Sequence, residues 1–380
     1  MRPTAQHGFT LLLVLLLLLV GAVSMYLAAR NPVAQHQARA ADRSTRAMNE
    51  AVRALRAYAL ADGYRNPGSP PAPGQVRPGS LPCPDADDDG SADLFAGNDC
   101  PADVGRLPYR TLDREPLRDA SHEPLWYALD PAYRDNDAAE PVNPIGGGAL
   151  TVDGESDFVA VVIAPGPALA GQGGRPGTNP ADYLEGENAD GDTVFTDCIA
   201  QSNCNDRVVG IRVDYLFDPV QRRVLGEIAR GLRSYFTANG FLPYAAPFGD
   251  TVCNDGLAYG QLPIAAGAGC SVPELDTSTL PQWITDNGWL PLVYYHVDAQ
   301  CVASSPGCTG GSLALGNATG LDVVLAGSGR ALPGQMRGVG GTIDDYLEDP
   351  DNRDGPVDMS YVDPAVSGND NDALRGIVLP

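Results

Sequence analysis

Acidic side chains at alternate positions form a pattern that could bind a metal ion. In the segment DADDDGSAD, Asp85, Asp87 and Asp89 alternate and Gly90 follows. This resembles the first half of an EF-hand calcium loop, in which alternate carboxylates supply oxygen ligands and a glycine permits a sharp turn. The second half does not match, because Ala96 occupies the position of the bidentate glutamate. We therefore expect any calcium at Asp85, Asp87 and Asp89 to bind weakly or to take further ligands from elsewhere, and a solvated acidic turn is the alternative.

The eight cysteines of the chain fall into four close pairs. They are Cys83 with Cys100, Cys198 with Cys204, Cys253 with Cys270, and Cys301 with Cys308. An even number at short spacings favours disulfides formed in an oxidising compartment, although sequence does not fix which cysteines pair and neighbour pairing is an assumption. None of the pairs has the close spacing typical of zinc sites. We predict disulfides and no zinc.

Residues suited to catalysis are few. The chain has four histidines, which are His7, His36, His122 and His296, and it contains no GxSxG, HExxH or P-loop sequence. A serine or cysteine nucleophile beside His122 or His296 stays an open alternative. Because an isolated polar residue near a strand is more often structural, we predict that the protein is not an enzyme.

Composition sets the class of protein and of partner. The formal net charge of -23 argues against nucleic acid or an anionic lipid surface as a partner, since both would be repelled. The 44 glycines and 33 prolines indicate many turns and short strands, and 380 residues are enough for two domains.

The chain contains an internal repeat of six blocks in the same order. The matching blocks are LRAYALADGY (55–64) with LRSYFTANGF (232–241), LPCP and GRLP (81–84, 105–108) with LPYA and GQLP (242–245, 260–263), PLWYALD (124–130) with PLVYYHVD (291–298), AVVIAPGPAL (160–169) with VVLAGSGRAL (323–332), DYLEGENADGD (182–192) with DYLEDPDNRDG (345–355), and NDRVVGIRV (205–213) with NDALRGIVL (371–379). A shared order of this length indicates duplication. We predict two copies of one module, spanning about 44–218 and 219–380.

Each copy begins with a helical pattern and continues into strands. The apolar residues at helical spacing are Met48, Val52, Leu55 and Ala59 in the first copy and Val224, Ile228, Leu232 and Tyr235 in the second. Gly63 and Gly240 follow, and we predict that they cap the two helices in the left-handed conformation. The strands expected after the helices include DFVAVVIA and the alternating Val209, Ile211, Val213, Tyr215 and Phe217.

The most apolar segment is GFTLLLVLLLLLVGAVSMYLAA, residues 8 to 29. A helix rises about 1.5 Å per residue and crosses a hydrocarbon core of ~30 Å in about 20 residues, so this segment is long enough to span a bilayer. It continues into a helical pattern instead of ending at a cleavage site, so we expect it to be retained. We predict one long helix, kinked near Pro32, with its first half in the membrane and its second half packed on a sheet.

These features together resemble the type IV pilin and type II secretion pseudopilin superfamily. The resemblance rests on a short leader that ends in Gly8, the segment FTLLLVLLLLLV that begins with Phe9, the extended helix and the sheet-bearing head. The blocks LPCPD and DYLEGENADGD are also similar to pilin-like proteins. The resemblance implies that a prepilin peptidase cuts after Gly8 and methylates the new amine of Phe9. It also raises the expectation of calcium, because pseudopilin tips are known to bind it.

One position departs from the family pattern. Most members carry a glutamate four residues after the new N-terminus, where this chain has Leu13. In the family that carboxylate is thought to meet the N-terminal amine of the next subunit, since a buried carboxylate is costly without a partner. The tip subunit of type II secretion also lacks this glutamate and carries an enlarged head. The resemblance therefore implies a non-enzymatic minor subunit at a fibre tip, which starts assembly or contacts substrate, with other pilins or pseudopilins as partners.

The predicted fold class is α+β. A long N-terminal transmembrane and stalk helix precedes two tandem pilin-like modules, each a helix packed on an antiparallel sheet and stapled by disulfides. The predicted parts are a leader at 1–8, a transmembrane and stalk helix at 9–43, and the modules at 44–218 and 219–380. The predicted location is a single pass through the inner membrane with a periplasmic head, or the fibre tip once assembled. An anchored calcium-binding or adhesive protein that does not polymerise, and an anchored hydrolase, are the alternatives.

Overall fold

The computed structural model describes residues 7–29, 32–62, 76–93, 99–136, 140–198, 203–305, 307–308, 310–364 and 370–380. Side chains are described for the same residues except 7–10, 27–29 and 32–34. Within these ranges the chain forms five α-helices and thirteen β-strands, and most of the strands are short. The abundance of glycine and proline is in keeping with this architecture of short strands and many turns.

The helices and strands divide between two halves of the chain. The α-helices are α1 His7–Ala29, α2 Pro32–Leu60, α3 Val213–Asn239, α4 Gln282–Asp286 and α5 Pro350–Asp358. The strands of the first half, which runs from α2 to β6, are β1 Val104–Arg106, β2 Trp126–Leu129, β3 Leu150–Val152, β4 Glu155–Ala164, β5 Val194–Phe195 and β6 Arg207–Arg212. The strands of the second half, which runs from α3 to the last strand, are β7 Tyr259–Gln261, β8 Val293–Val297, β9 Leu313–Leu315, β10 Ala318–Leu321, β11 Val323–Gly327, β12 Ser360–Tyr361 and β13 Ala373–Ile377.

The sheet of the first half is organised around β4. The last seven residues of this strand, Phe158 to Ala164, are all buried, which is typical of a strand covered on both faces. One edge of β4 pairs with β6, and the other edge pairs with β2 and β3, in each case antiparallel. Strand β1 extends the sheet beyond β2, and β5 pairs with β3 in parallel.

The second half repeats this topology. Strand β11 pairs antiparallel with β8 and β13, and β7 extends the sheet beyond β8. Strands β9 and β12 form the parallel pair that corresponds to β3 and β5, and β10 is antiparallel to β9. The main difference is that β4 is one continuous strand, whereas its counterpart is interrupted at Asp322 into β10 and β11.

Both sheets are covered on two faces. Helix α2 packs on β4 and β6, and α3 packs on β11 and β13, so the two helices and the inner faces of the sheets share one apolar core. The outer face of each sheet is covered by loops of its own half. Residues of these two outer clusters include Trp126, Val161, Tyr183 and Phe195 in the first half and Tyr294, Val324, Leu347 and Tyr361 in the second.

Helix α3 corrects one strand prediction. The predicted alternation from Val209 to Phe217 is wrong beyond Arg212, because β6 ends there and α3 begins at Val213. Val213, Phe217 and Val220 are buried at helical spacing, whereas Tyr215 is 44% exposed. Gly240 caps α3 in the left-handed conformation, as predicted. The domain boundaries stay predictions, and the one between residues 218 and 219 falls within α3.

The predicted fold class is wrong in its N-terminal part. The structure has no single long transmembrane and stalk helix in the described residues, because α1 ends at Ala29 and a separate helix, α2, begins at Pro32. Proline is favoured in the first turn of a helix, where its missing N–H would have no partner in any case. The described chain is a mostly β fold of curled sheets with four disulfides.

The predicted single pass through the inner membrane is also contradicted. Among the residues that the structure describes, no helix combines the length and the apolar character needed to cross a membrane.

Candidate functional site

The predicted processing and assembly positions lie at the start of α1. Gly8 and Phe9 follow the first residue of this helix, and their side chains lie outside the described residues. Leu13 is 49% exposed, and the other large apolar side chains of residues 11–26 are exposed to a similar or greater extent. Helix α2 first becomes buried at Ser44. The described part of α1 therefore presents exposed apolar side chains on all its faces.

The disulfides expected from the cysteine spacing are present. They join Cys83 to Cys100, Cys198 to Cys204, Cys253 to Cys270, and Cys301 to Cys308. Each one closes a loop within a single half, and two of them lie in each half. They therefore stabilise the long loops between strands and do not link the two halves.

The structure brings Asp85, Asp87 and Asp89 together. One carboxylate oxygen from each lies within 4.8 Å of the others. Asp85 is buried, and its two carboxylate oxygens accept the N–H groups of Asp88 and Gly90, each at 2.7 Å. Burial raises the pKa of Asp85, and the two backbone donors oppose that shift. The arrangement is a preformed turn with one anchored carboxylate and two exposed ones.

Neighbouring segments hold this acidic turn in place. The N–H of Ala92 donates to Thr111 Oγ1 at 2.7 Å, and the N–H of Arg110 donates to the carbonyl of Gly90 at 2.7 Å. Gly90 has φ +89°, and a side chain there would overlap the ring of Tyr109. The turn can therefore offer oxygen ligands to a hard divalent cation, but Ala96, where the pattern fails, lies outside the described residues. Calcium at this turn stays a prediction.

Sequence reasoning missed a pair of acids in the first half, the half-buried Glu185 and the buried Asp206. The backbone N–H of Glu185 donates to the carboxylate of Asp206 at 2.9 Å, and Asn188 Nδ2 donates to the same oxygen at 3.0 Å. The Glu185 carboxylate accepts Gln172 Nε2 at 2.5 Å and the N–H of Asn205 at 3.0 Å. These contacts bind the loop between β4 and β5 to the start of β6.

The second half contains the corresponding pair, and its glutamate has the corresponding partners. The N–H of Glu348 donates to the carboxylate of Asp372 at 3.0 Å. The Glu348 carboxylate accepts Gln335 Nε2 at 2.8 Å and the N–H of Asn371 at 3.3 Å. Asn352 occupies the position of Asn188, and each of the two amide oxygens accepts a backbone N–H at 2.8 Å. We name these two arrangements the carboxylate pairs.

Burial dominates the electrostatics of both carboxylate pairs. It raises the pKa of Asp206 to about 7, with the N–H of Glu185 and the amide of Asn188 opposing the rise. Burial also raises the pKa of Asp372 and that of Glu348. One oxygen of Asp206 and one of Asp372 have no hydrogen-bond donor in the described part of the chain. Each pair is thus suited to hold a proton.

The sequence did contain a signal for these pairs. Both copies contain the sequence Tyr-Leu-Glu, at 183–185 and 346–348, and the sequence Asn-Asp, at 205–206 and 371–372. The glutamate of the first and the aspartate of the second form each carboxylate pair. The acidic segments around these residues have the composition of solvated turns. In the second copy the segment after Asp349 instead begins α5, with Asp349 accepting the N–H of Asp351 at 2.8 Å and Pro350 in the first turn.

The two histidines considered for catalysis lie in different surroundings. His122 is exposed, at φ 67°. His296 is buried with Nδ1 at 2.6 Å from the hydroxyl of Tyr361, and burial lowers its pKa to about 4. In the part of the chain that the structure describes, neither imidazole is hydrogen-bonded to a serine or cysteine. All eight cysteines are in disulfides.

Comparisons of the chain with protein-family models, with curated proteins and with solved structures find no match. What the sites do must therefore be argued from their own geometry and chemistry.

Proposed function

We propose that this protein is a non-enzymatic minor subunit of a pilin-like fibre, in which α1 packs among the helices of other pilins or pseudopilins and the two-half head is displayed at the tip. A prepilin peptidase would release the subunit from its leader at Gly8. The resemblance of the N-terminal segment to the type IV pilin and pseudopilin superfamily is the starting point for this proposal.

The exposed apolar surface of α1 is the observation that supports the proposal most. Burial of apolar surface is favourable by about 25 cal/mol per Å², and a helix that is apolar on all faces requires cover on all faces. The large apolar side chains from Leu11 to Met25 are exposed, so the described residues provide no such cover for them. Helices of neighbouring subunits would provide it, and the absence of a carboxylate at Leu13 suits a subunit with nothing ahead of it.

Calcium binding by the head is a second part of the proposal. The three carboxylate oxygens of Asp85, Asp87 and Asp89 within 4.8 Å of one another support it. Their turn is anchored by backbone donors to Asp85, so only the exposed Asp87 and Asp89 would need to adjust when a cation binds.

The N-terminus of the mature protein tests the fibre proposal. The full chain is produced in a host with an active prepilin peptidase, and its N-terminal peptide is analysed by mass spectrometry. We expect wild-type protein to begin at methylated Phe9, and Gly8→Trp to retain residues 1–8. Gly21→Ala is the matched control, because an added Cβ at Gly21 meets no atom within 4 Å, and it should be processed normally.

Retention of residues 1–8 by the wild-type protein in that host would count against the fibre proposal. It would favour the alternative of an adhesive or calcium-binding protein that does not polymerise.

A further inference from the structure

The two halves carry clefts at corresponding places, beside β1 and beside β7. Arg106 and Leu107 line the first, and the repeat places Gln261 and Leu262 at the same points of the second. The cleft of the second half has a volume of ≈380 Å³ and is lined mainly by apolar side chains. The cleft of the first half has a volume of ≈140 Å³ and is lined by charged as well as apolar groups. We call this smaller cavity the Arg106 cleft.

The guanidinium of Arg106 is buried with few acceptors. Arg106 is 3% exposed, and its Cζ lies 4.6 Å and 4.1 Å from the ring centres of Trp126 and Tyr183. Nη2 donates to the carbonyl of Gly177 at 2.8 Å. Nε and Nη1 have no hydrogen-bond partner among the described residues, and neither has Nε1 of Trp126. Buried donors without acceptors are costly, and the carboxylate of Asp88 lies 3.6 Å from Nε, beyond hydrogen-bonding distance, so these donors favour a further acceptor.

In the second half, the residue that corresponds to Arg106 is Gln261, and all of its described polar contacts are hydrogen bonds within the fold. Gln261 Nε2 donates to the carbonyl of Pro291 at 2.7 Å and contacts the hydroxyl of Tyr346 at 3.2 Å. Gln261 Oε1 accepts the N–H of Gly249 at 2.9 Å. The fold therefore supplies partners for a neutral side chain here, and the unpaired donors arise from the presence of arginine in the first half.

We propose that the Arg106 cleft binds a small aliphatic monocarboxylate whose oxygens accept from the unpaired N–H groups of Arg106. A guanidinium is planar and matches the geometry of a carboxylate. Leu107, Leu117 and Leu125 provide apolar walls for a short alkyl chain, and the exposed Arg118 adds a second positive charge. A volume of ≈140 Å³ limits the ligand to a few heavy atoms.

Nearby acids select for a single negative charge. The carboxylate of Asp88 lies 3.6 Å from Arg106 Nε, and its side chain is 49% exposed, so it can turn into solvent when a ligand enters. Asp85 also lines the cleft. A dianion such as sulfate would be repelled twice as strongly by these groups as a monocarboxylate, and a neutral amide would gain no charge interaction.

The three tryptophans of the chain provide the measurement. Each gives one indole N–H signal in a proton–nitrogen NMR spectrum of the full chain, and that of Trp126 reports on Arg106, whose guanidinium lies over its ring. Sodium propionate is added at constant ionic strength maintained with sodium chloride. We expect a saturable shift of the Trp126 signal, with those of Trp283 and Trp289 unchanged, and no saturable shift with propionamide or sulfate.

Two variants distinguish ligand binding from a structural role of Arg106. Arg106→Gln installs the residue of the second half and should abolish the propionate response, while Arg375→Gln, at an exposed arginine of β13, should retain it. Asp88→Asn should tighten propionate binding roughly fivefold by removing a competing charge about 4 Å away. Asparagine also tolerates the left-handed backbone of Asp88, which has φ 64°.

The proposal is overturned if propionate gives no saturable shift of the Trp126 signal, if propionamide gives the same shift, or if Asp88→Asn leaves the affinity unchanged. Water would then be the occupant of the cleft. Because the measurement does not depend on fibre assembly, it can fail or succeed independently of the proposed function.

Discussion

The backbone N–H of Glu185 donates to the carboxylate of Asp206 at 2.9 Å, and the backbone N–H of Glu348 donates to the carboxylate of Asp372 at 3.0 Å. In both halves a second amide, from Asn205 or Asn371, donates to the glutamate. Burial, with a second carboxylate nearby, raises the pKa of Asp206 and that of Asp372, so each carboxylate pair favours a state in which the aspartate holds a proton. The loops over the outer faces of the sheets therefore depend on protonation.

We expect the free energy of unfolding to fall as the pH rises from about 4 to about 7. Burial raises the pKa of Asp206 from 3.8 to about 7, so between these values the folded protein retains a proton that the unfolded chain has released. Stability from this group is thus complete below the lower value and lost as pH passes the upper one. At about 1.4 kcal/mol per pKa unit, the loss is on the order of 4 kcal/mol.

Urea unfolding of the full chain at several pH values measures this dependence. Asp206→Asn should flatten the curve, because the amide does not titrate. Glu187→Gln, at an exposed acid of the same loop, is the control and should keep the wild-type slope. A wild-type stability that rises steadily between pH 4 and pH 7, together with an unchanged slope in Asp206→Asn, would contradict the assignment.

Terbium luminescence tests the acidic turn, since Tyr109 packs against Gly90 and can transfer excitation to a bound lanthanide. Calcium should displace the terbium. The double substitution Asp87→Asn and Asp89→Asn should weaken binding by roughly tenfold or more, because charged ligands set calcium affinity. Asp85 is left intact because it anchors the turn.

The matched control for the terbium experiment is Asp190→Asn with Asp192→Asn, which alters another exposed acidic cluster. Equal loss of signal in both double variants would show diffuse binding to surface acids instead of a site at Asp87 and Asp89.

The disulfides should differ in their contribution to stability according to loop length. The bonds Cys83 to Cys100 and Cys253 to Cys270 each span 17 residues, whereas Cys198 to Cys204 spans 6. In the entropic model, removal of either longer loop costs ~3 kcal/mol and removal of the shorter one about 1 kcal/mol less. Denaturant unfolding of the paired Cys→Ser variants measures this order, and a larger loss for the shorter loop would refute it.

The repeated blocks predicted more of the head than of the N-terminus. Local patterns located both helices that cover the sheets, the cap at Gly240 and the strand DFVAVVIA, because these features depend on spacing within a few residues. The strand alternation failed at Val213, because Val213, Phe217 and Val220 also recur at helical spacing, which places Tyr215 on the exposed face of a helix. Pro32 was predicted as a kink but begins a separate helix. A single residue does not determine which of these outcomes occurs.

The carboxylate pairs and the Arg106 cleft required the structure. Glu185 and Asp206 are 21 residues apart in the sequence. Asp85 and Arg106 are brought together by an isolated antiparallel backbone bridge. An acidic side chain in a loop is usually solvated, so no local sequence pattern indicates that these side chains are buried. For the carboxylate pairs, the one signal in the sequence is the match between the two copies, in which the acids are identical while the surrounding residues differ.

The location of the subunit in a fibre is the final prediction, and it depends on Leu13. A tip subunit has no neighbour ahead whose amine could pair with a carboxylate at this position. Leu13→Glu would place an acid among the apolar side chains of packed helices, at a cost of several kcal/mol if charged, and should reduce assembly. Leu13→Met keeps the site apolar and should assemble normally. Immunogold labelling of sheared fibres should place wild-type protein at one end and at very low copy. Label along the whole fibre, or better assembly by Leu13→Glu than by wild type, would instead identify an internal subunit that uses a glutamate as its neighbours do.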